Sequence, residues 1–254
     1  PWVAGSELAA PAPFGPFNYR NHFAAWVIVA AMPALALALA KLRPSARLAA
    51  GGVYLLGAVG VALSLSRSGV VAFLVGTLAA ILALAAGTRA SRPERVRSPL
   101  VGALVITLTI TVVAATLVAL GEAASVFERL ATFLDVGIER SVEGRLVIWA
   151  DTLRMIEDRP LIGWGLDTFV WAHLAYRTDP NGFPQHAHTV WRGVLREAGL
   201  LGGALALWFL FGLGSLLLRG GMHDDPLDRA TRAGAFAAWV GLASMAAMDF
   251  PTAS

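Results

Sequence analysis

Cysteine is missing from this chain altogether, lysine occurs once, at Lys41, and charged residues of either sign are scarce. The lack of cysteine excludes disulfides, thiol nucleophiles and thiolate metal centres. Charged residues make up 15% of the chain against 57% hydrophobic ones, a balance that excludes an ordinary soluble domain and reads as a membrane protein. The remaining basic residues are all arginine, and the net charge is +3. These arginines are scattered between apolar runs, so the basic balance reads as membrane topology and not as a nucleic-acid patch. No internal repeat is present. The chain opens at Pro1 without a methionine and ends just after an apolar stretch, so it reads as a piece of a longer protein.

What is present is a series of apolar segments, each about long enough for a hydrocarbon core of roughly 30 Å. Six are expected: Phe23 to Ala40, Leu48 to Leu65, Gly69 to Ala86, Leu100 to Leu120, Leu200 to Leu218 and Ala233 to Phe250. The last is Ala-rich and carries Asp249. Without the alternation of a barrel, such runs satisfy their backbone only as helices. Gly57, Gly60, Gly69, Gly76, Gly234 and Gly241 are placed to let them pack closely. The expected fold class is all-α, a polytopic transmembrane helical bundle of about six spans with one large external, partly helical loop.

Charge sorts the connections. Lys41, Arg43 and Arg47, then Arg89, Arg92, Arg95 and Arg97, then Arg219, Arg229 and Arg232 fall in three loops on one side, which the positive-inside rule makes cytoplasmic. The external side then holds residues 1–22, the tight turn around Arg67, and a long loop from Gly121 to Gly199. The expected organisation is 1–120 for the external N-terminal segment and spans one to four, 121–199 for the large external loop, and 200–254 for the last two spans.

Within the long loop, Leu146, Trp149, Leu153 and Ile156 form a helical stripe that Asp158-Arg159-Pro160 ends. Gly163 and Gly165 predict turns, Asp167-Thr168 predict the cap of a short helix through about Tyr176, and Thr189 predicts the start of a helix towards the fifth span.

Several polar residues are candidates for chemistry. Arg67, between Ser66 and Ser68 at the external mouth of a helix pair, suits an anion clamp, because its guanidinium fork matches a phosphate; the competing reading is an interfacial snorkelling arginine. Arg145, at the start of the loop helix, suits the same role or an ordinary pairing with Glu143 or Asp151. His188 falls at i, i+4 and i+8 with Arg192 and Arg196, and two nearby cations would keep its imidazole neutral, as a general base requires. The bland alternative is a solvated helix face with a capping histidine. Arg20, in the polar cluster Asn18-Tyr19-Arg20-Asn21-His22, is a further anion contact or an interfacial anchor. His186 and His188, with His173 as a third ligand, make only a weak metal signal, and the external loops hold no Asp-x-Asp pair of the kind that carries Mg²⁺, so no metal site is expected.

Together these stretches resemble the O-antigen ligase and polymerase family of bacterial envelope membrane proteins. The resemblance lies in Phe17-Asn18-Tyr19-Arg20-Asn21-His22-Phe23-Ala24, Ser66-Arg67-Ser68-Gly69, Gly144-Arg145 with Trp149, Pro160-Leu161-Ile162-Gly163-Trp164-Gly165, His186-Ala187-His188, and Glu197-Ala198-Gly199-Leu200-Leu201-Gly202. It implies a C-type membrane glycosyltransferase fold and transfer of a glycan from an undecaprenyl-diphosphate carrier to an acceptor hydroxyl outside the cytoplasmic (inner) membrane, inverting and without metal or cofactor. It implies Arg67 and Arg145 as the diphosphate-binding pair and His188 as the catalytic residue, with Arg20, Ser66, Ser68, His186 and Arg192 as further substrate contacts. The partners implied are the lipid-linked donor, a lipid-linked glycan or lipid A-core acceptor, and membrane lipids, not nucleic acid. Where the family often has Asn after that histidine, this chain has Thr189. A ligase, a polymerase and a protein O-oligosaccharyltransferase differ only in acceptor; a transporter or an inactive export partner belongs to another class. Transport predicts polar or broken helices at the midplane. The candidate groups gather instead at the external mouth.

Overall fold

The computed structural model describes residues 17, 19–87, 99–119, 121, 150–166, 168–176, 178, 190–219 and 225–248, and among these all regular structure is helical. The helices are α1 (Arg20–Leu39), α2 (Pro44–Leu63), α3 (Arg67–Gly87), α4 (Pro99–Ala119), α5 (150–158), α6 (Phe169–His173), α7 (Val190–Leu218) and α8 (Pro226–Met248). Proline opens α2, α4 and α8, where its missing N–H costs nothing and its fixed φ suits the first turn. Two compact units result, Pro1–Leu117 with Gly220–Leu242, and Val118–Arg219 with Ala243–Ser254.

Among the described residues five helices are long and apolar enough to cross a membrane: Arg20–Leu39, Pro44–Leu63, Arg67–Ala86, Leu100–Ala119 and Gly193–Leu218. The sixth expected span is helical but does not join them. Its helix starts at Pro226, so Asp228, Arg229 and Arg232 occupy the first two turns, and alanine and glycine add little hydrophobicity further on. Ala230 and Ala233 are buried in a cluster with Ala36 and Leu84.

The first unit is built on small-residue contacts. α1 packs against both α2 and α3, around Ile28, Met32, Val61 and Phe73. A Cβ on Gly57 would lie 2.8 Å from Ala31 Cβ, one on Gly69 2.6 Å from Ala24 Cβ, and one on Gly241 2.9 Å from Ile28 Cγ2. Gly234 meets Pro33 of α1 still more closely. Of the six glycines expected to mediate packing, Gly60 has only ordinary van der Waals neighbours. Without a hydrophobic drive between helices in lipid, this close approach supplies the dispersion contacts that hold them.

One polar cluster lies inside the bundle. Tyr54 Oη is 2.9 Å from Thr77 Oγ1 and 2.6 Å from Thr109 Oγ1, tying α2 to α3 and α4. Thr77 and Thr109 also approach their own i−4 carbonyls, Phe73 O and Val105 O. Three hydroxyl protons therefore serve four close approaches. Polar side chains in spans are satisfied in this local way because an unpaired group in hydrocarbon is costly.

Candidate active site

In the first unit the residues around Arg67 form a tight, heavily bonded turn. Ser64 Oγ donates to Val61 O at 2.6 Å and accepts the Ser66 N–H at 3.2 Å. Leu65 between them has φ 50°, a left-handed conformation that costs a non-glycine residue energy and persists only where its surroundings over-determine it. Ser66 is then the N-cap of α3. Its buried Oγ accepts the Gly69 N–H at 3.0 Å and donates to Asn21 Oδ1 at 2.8 Å. Ser68 Oγ lies 3.4 Å from the same oxygen.

The Asn21–Ser66 bond and the Ala24–Gly69 approach bring the starts of α1 and α3 together. Arg20 and Arg67 are the first residues of these two helices. Arg67 is exposed and Arg20 half-buried. Two helix N-termini, two guanidiniums and two serine hydroxyls at one end of the unit form surroundings suited to an anion. Of the sequence candidates, the structure thus brings together Arg20, Ser66, Arg67 and Ser68.

The second unit holds the rest of the long loop. Arg145, His186 and His188 lie outside the described residues, and Arg192 lies on α7 with its side chain outside them. α5 ends at Asp158, as expected. Its buried face, however, is Asp151, Thr152 and Met155, whereas Leu153 of the expected apolar stripe is exposed. Asp151 explains the difference, because it has partners to bury against. Its Oδ1 accepts the Thr178 hydroxyl at 3.0 Å and its Oδ2 the Thr178 N–H at 3.2 Å. Arg154 Nη1 is 3.6 Å from Oδ1 and the buried His173 Nε2 is 3.6 Å from Oδ2. His173 is thus drawn to a carboxylate, and among the described residues no three His, Asp or Glu gather as metal ligands. The expected capping helix is short, Phe169–His173; Thr168 Oγ1 donates to Gly165 O at 2.8 Å and does not cap it. Tyr176 donates to Asp158, whose hydrogen bond and charge hold the phenol above its ordinary value of 10.0.

The segment 160–165 makes the most constrained contact. α7 is broken at Gly199 (φ 65°, ψ −167°), which frees carbonyls before the break and amides after it. Trp164 and Gly165 donate to Arg196 O and Glu197 O, both at 2.9 Å, and Leu200 and Leu201 donate to Pro160 O and Leu161 O at 2.7 and 3.1 Å. Four of the freed groups thus find backbone partners. Gly163 (φ 67°) makes the approach possible, since a Cβ there would stand 2.5 Å from the Glu197 carbonyl carbon. Trp164 is fixed further by Nε1 donating to Met155 O at 2.8 Å and by the Arg159 guanidinium 4.4 Å over its ring.

Of the expected His188, Arg192 and Arg196 face, only the Arg196 side chain is among the described residues. Arg196 is buried, with Nη2 donating to Glu197 Oε1 at 2.9 Å. It sits in the turn where 160–165 covers the helix, so it is not one of a solvated row.

The O-antigen ligase family model matches residues 52–207, more than half of the chain. The chain belongs to the O-antigen ligase family. No curated protein and no solved structure matches it. Family membership makes it an integral membrane protein of glycosyltransferase type, and lipid-linked glycans are the family's general substrates. The ligase match runs from α2 into α7 and takes in Arg67, Arg145, His186, His188 and Arg192; Arg20 precedes it.

Sequence reasoning did not assign a role to Asn21, gave Asp151 only as an alternative partner of Arg145, and did not foresee that the two glycine motifs meet. Asn21 carried a signal in its place beside Arg20, and Gly163 and Gly199 in being glycines before apolar residues. Asp151 carried none, because a carboxylate on a surface-loop helix ordinarily faces water.

Proposed function

We propose that this ligase-family protein transfers a glycan from undecaprenyl diphosphate to an acceptor hydroxyl at the external face of the bacterial cytoplasmic membrane. The observation that carries the reading is the family match over 52–207, a range that includes Arg67, Arg145 and His188. Supporting it, Arg67 stands exposed at the N-terminus of α3, beside Ser66 and Ser68 and on the same end of its unit as Arg20.

In this mechanism Arg67 and Arg145 hold the diphosphate and stabilise its charge as the anomeric C–O bond breaks, the electrostatic task a cation performs elsewhere. His188 takes the proton of the acceptor hydroxyl as its oxygen attacks the anomeric carbon, so a single displacement inverts that centre. Arg192, four residues beyond His188 in the sequence, is the cation that disfavours the imidazolium and keeps the base free. Arg20, Ser66, Ser68 and His186 complete the substrate contacts. The long loop faces outward in this reading, because the basic short loops lie inside.

The test is transfer by the full-length protein in nanodiscs, from an undecaprenyl-diphosphate glycan to lipid A-core, to a second lipid-linked repeat or to a hydroxyl-bearing peptide, with chelator present. His188→Ala should lose about 10² to 10⁴ in rate. Transfer by that variant at the wild-type rate sinks the base assignment, and loss of wild-type transfer on chelation sinks the metal-independent mechanism. The productive acceptor separates ligase, polymerase and protein glycosylation, and uptake of a labelled solute without any transfer would point to transport instead.

A further inference from the structure

The clasp between 160–165 and α7 fixes the depth of a loop segment relative to the membrane. The apolar stretch of α7 spans Gly193–Leu218, 26 residues, about 39 Å of helix and longer than a core of roughly 30 Å. The break at Gly199 divides it. The part beyond the break, residues 200–218, runs about 28 Å, which by itself matches the core. The break therefore marks the membrane interface, and Leu200 and Leu201 form the first turn inside it. Their amides are bonded to Pro160 O and Leu161 O, so the 160–162 turn lies at the same depth.

The side chains of this turn have the chemistry for that depth. Leu161 is 61% exposed and Ile162 68%, and beside them Leu200 and Leu201 are 53% and 55% exposed. Next along the chain Arg159 stacks on Trp164, an arginine and aromatic pair of the kind found at headgroup level, where the guanidinium meets lipid phosphate. We infer that the 160–162 turn is a membrane wedge: Leu161 and Ile162 enter the acyl boundary of the bilayer that α7 crosses, and Arg159 reaches the headgroups. The occupant of this apolar surface is lipid, because the turn is continuous with a span that already faces lipid. The wedge fixes the height of the loop unit above the hydrocarbon. This holds whichever acceptor the enzyme uses.

No cysteine within residues 1–254 competes for a label placed there. Leu161→Cys and Ile162→Cys, both at exposed positions and so compatible with folding, are introduced into the full-length protein, labelled with an environment-sensitive fluorophore and placed in nanodiscs. Asp225→Cys, at an exposed position just before α8, gives the water-phase reference. The expected result is blue-shifted emission at both wedge positions and stronger quenching by a lipid nitroxide near the top of the acyl chain than by one near its end, as for groups about 5–10 Å deep. Emission and lipid quenching equal to those of the Asp225→Cys label would overturn the inference. Cross-linking of position 162 to a second copy of the chain, without lipid quenching, would overturn it in favour of a protein contact.

Discussion

Gly199→Ala tests the clasp that organises the long loop. At φ 65° and ψ −167° the residue occupies a region open essentially to glycine alone, and holding alanine there costs about 1–3 kcal/mol. The new Cβ would also run into the carbonyl group of Leu161, so the 160–165 segment must move away. Four backbone hydrogen bonds depend on that segment, each contributing about 0.5–1.5 kcal/mol net. Because these bonds share one contact, their losses do not simply add, and a total near 3–5 kcal/mol is expected. Hydrogen exchange on the purified full-length protein reads it directly. A drop of about 3 kcal/mol in opening free energy should speed exchange of the Trp164, Gly165, Leu200 and Leu201 amides roughly 10²-fold. Gly212→Ala is the control, with open space around its added Cβ, and should be neutral or stabilise by up to about 1 kcal/mol. If Gly199→Ala leaves those four amides exchanging at the wild-type rate, the clasp does not hold the loop and the argument fails.

Asp151→Ala should destabilise the loop unit by about 3 kcal/mol, since it strips Thr178 and His173 of a buried carboxylate; limited proteolysis near Thr178 at the wild-type rate would contradict this. Ser66→Ala removes the α3 cap and the tie to Asn21, at about 1–2 kcal/mol, and under the proposed mechanism weakens donor binding more than it lowers thermal stability; KM for the lipid donor is the discriminating measurement. Tyr54→Phe leaves Thr77 and Thr109 bonded to their own carbonyls and should cost only about 0.6 kcal/mol, so a thermal midpoint lowered by many degrees would show that the hydroxyl cluster matters more than its pairing suggests.

The helices were legible because apolar length is a composition signal. Five of the six expected spans qualify by length and hydropathy, and the sixth, though helical, falls short because its alanines and glycines add little hydropathy and charged residues occupy its first turns. Gly163 and Gly165 were legible as turns, and both take positive φ. Their target was not, since backbone bonds to Arg196 and Glu197 depend on a break in α7, where the sequence reading expected one helix running on from Thr189 towards the fifth span. The inward face of α5 was misread for a related reason. Periodicity weighs hydrophobicity alone, whereas Asp151 goes inward because Thr178 and His173, distant in sequence, satisfy it there. At the candidate site, Arg67 and its serines were readable from their place between two spans, while the role of Asn21 needed the packing of α1 on α3 to become visible.

The clasp has a consequence for how such a protein can diversify. It pins residues 160–165 to 196–201, so everything between is a closed excursion whose ends are fixed by backbone bonds rather than by side chains. The entropy of closing such an excursion rises only with the logarithm of its length, and doubling it adds about 0.6 kcal/mol. Segments can therefore be lengthened, shortened or exchanged within the excursion at small energetic expense, as long as the glycines at both anchors and the Asp151 partners His173 and Thr178 stay. Grafting a different insert into 179–185, which spares Thr178, His186 and His188, should leave exchange protection at the anchors unchanged.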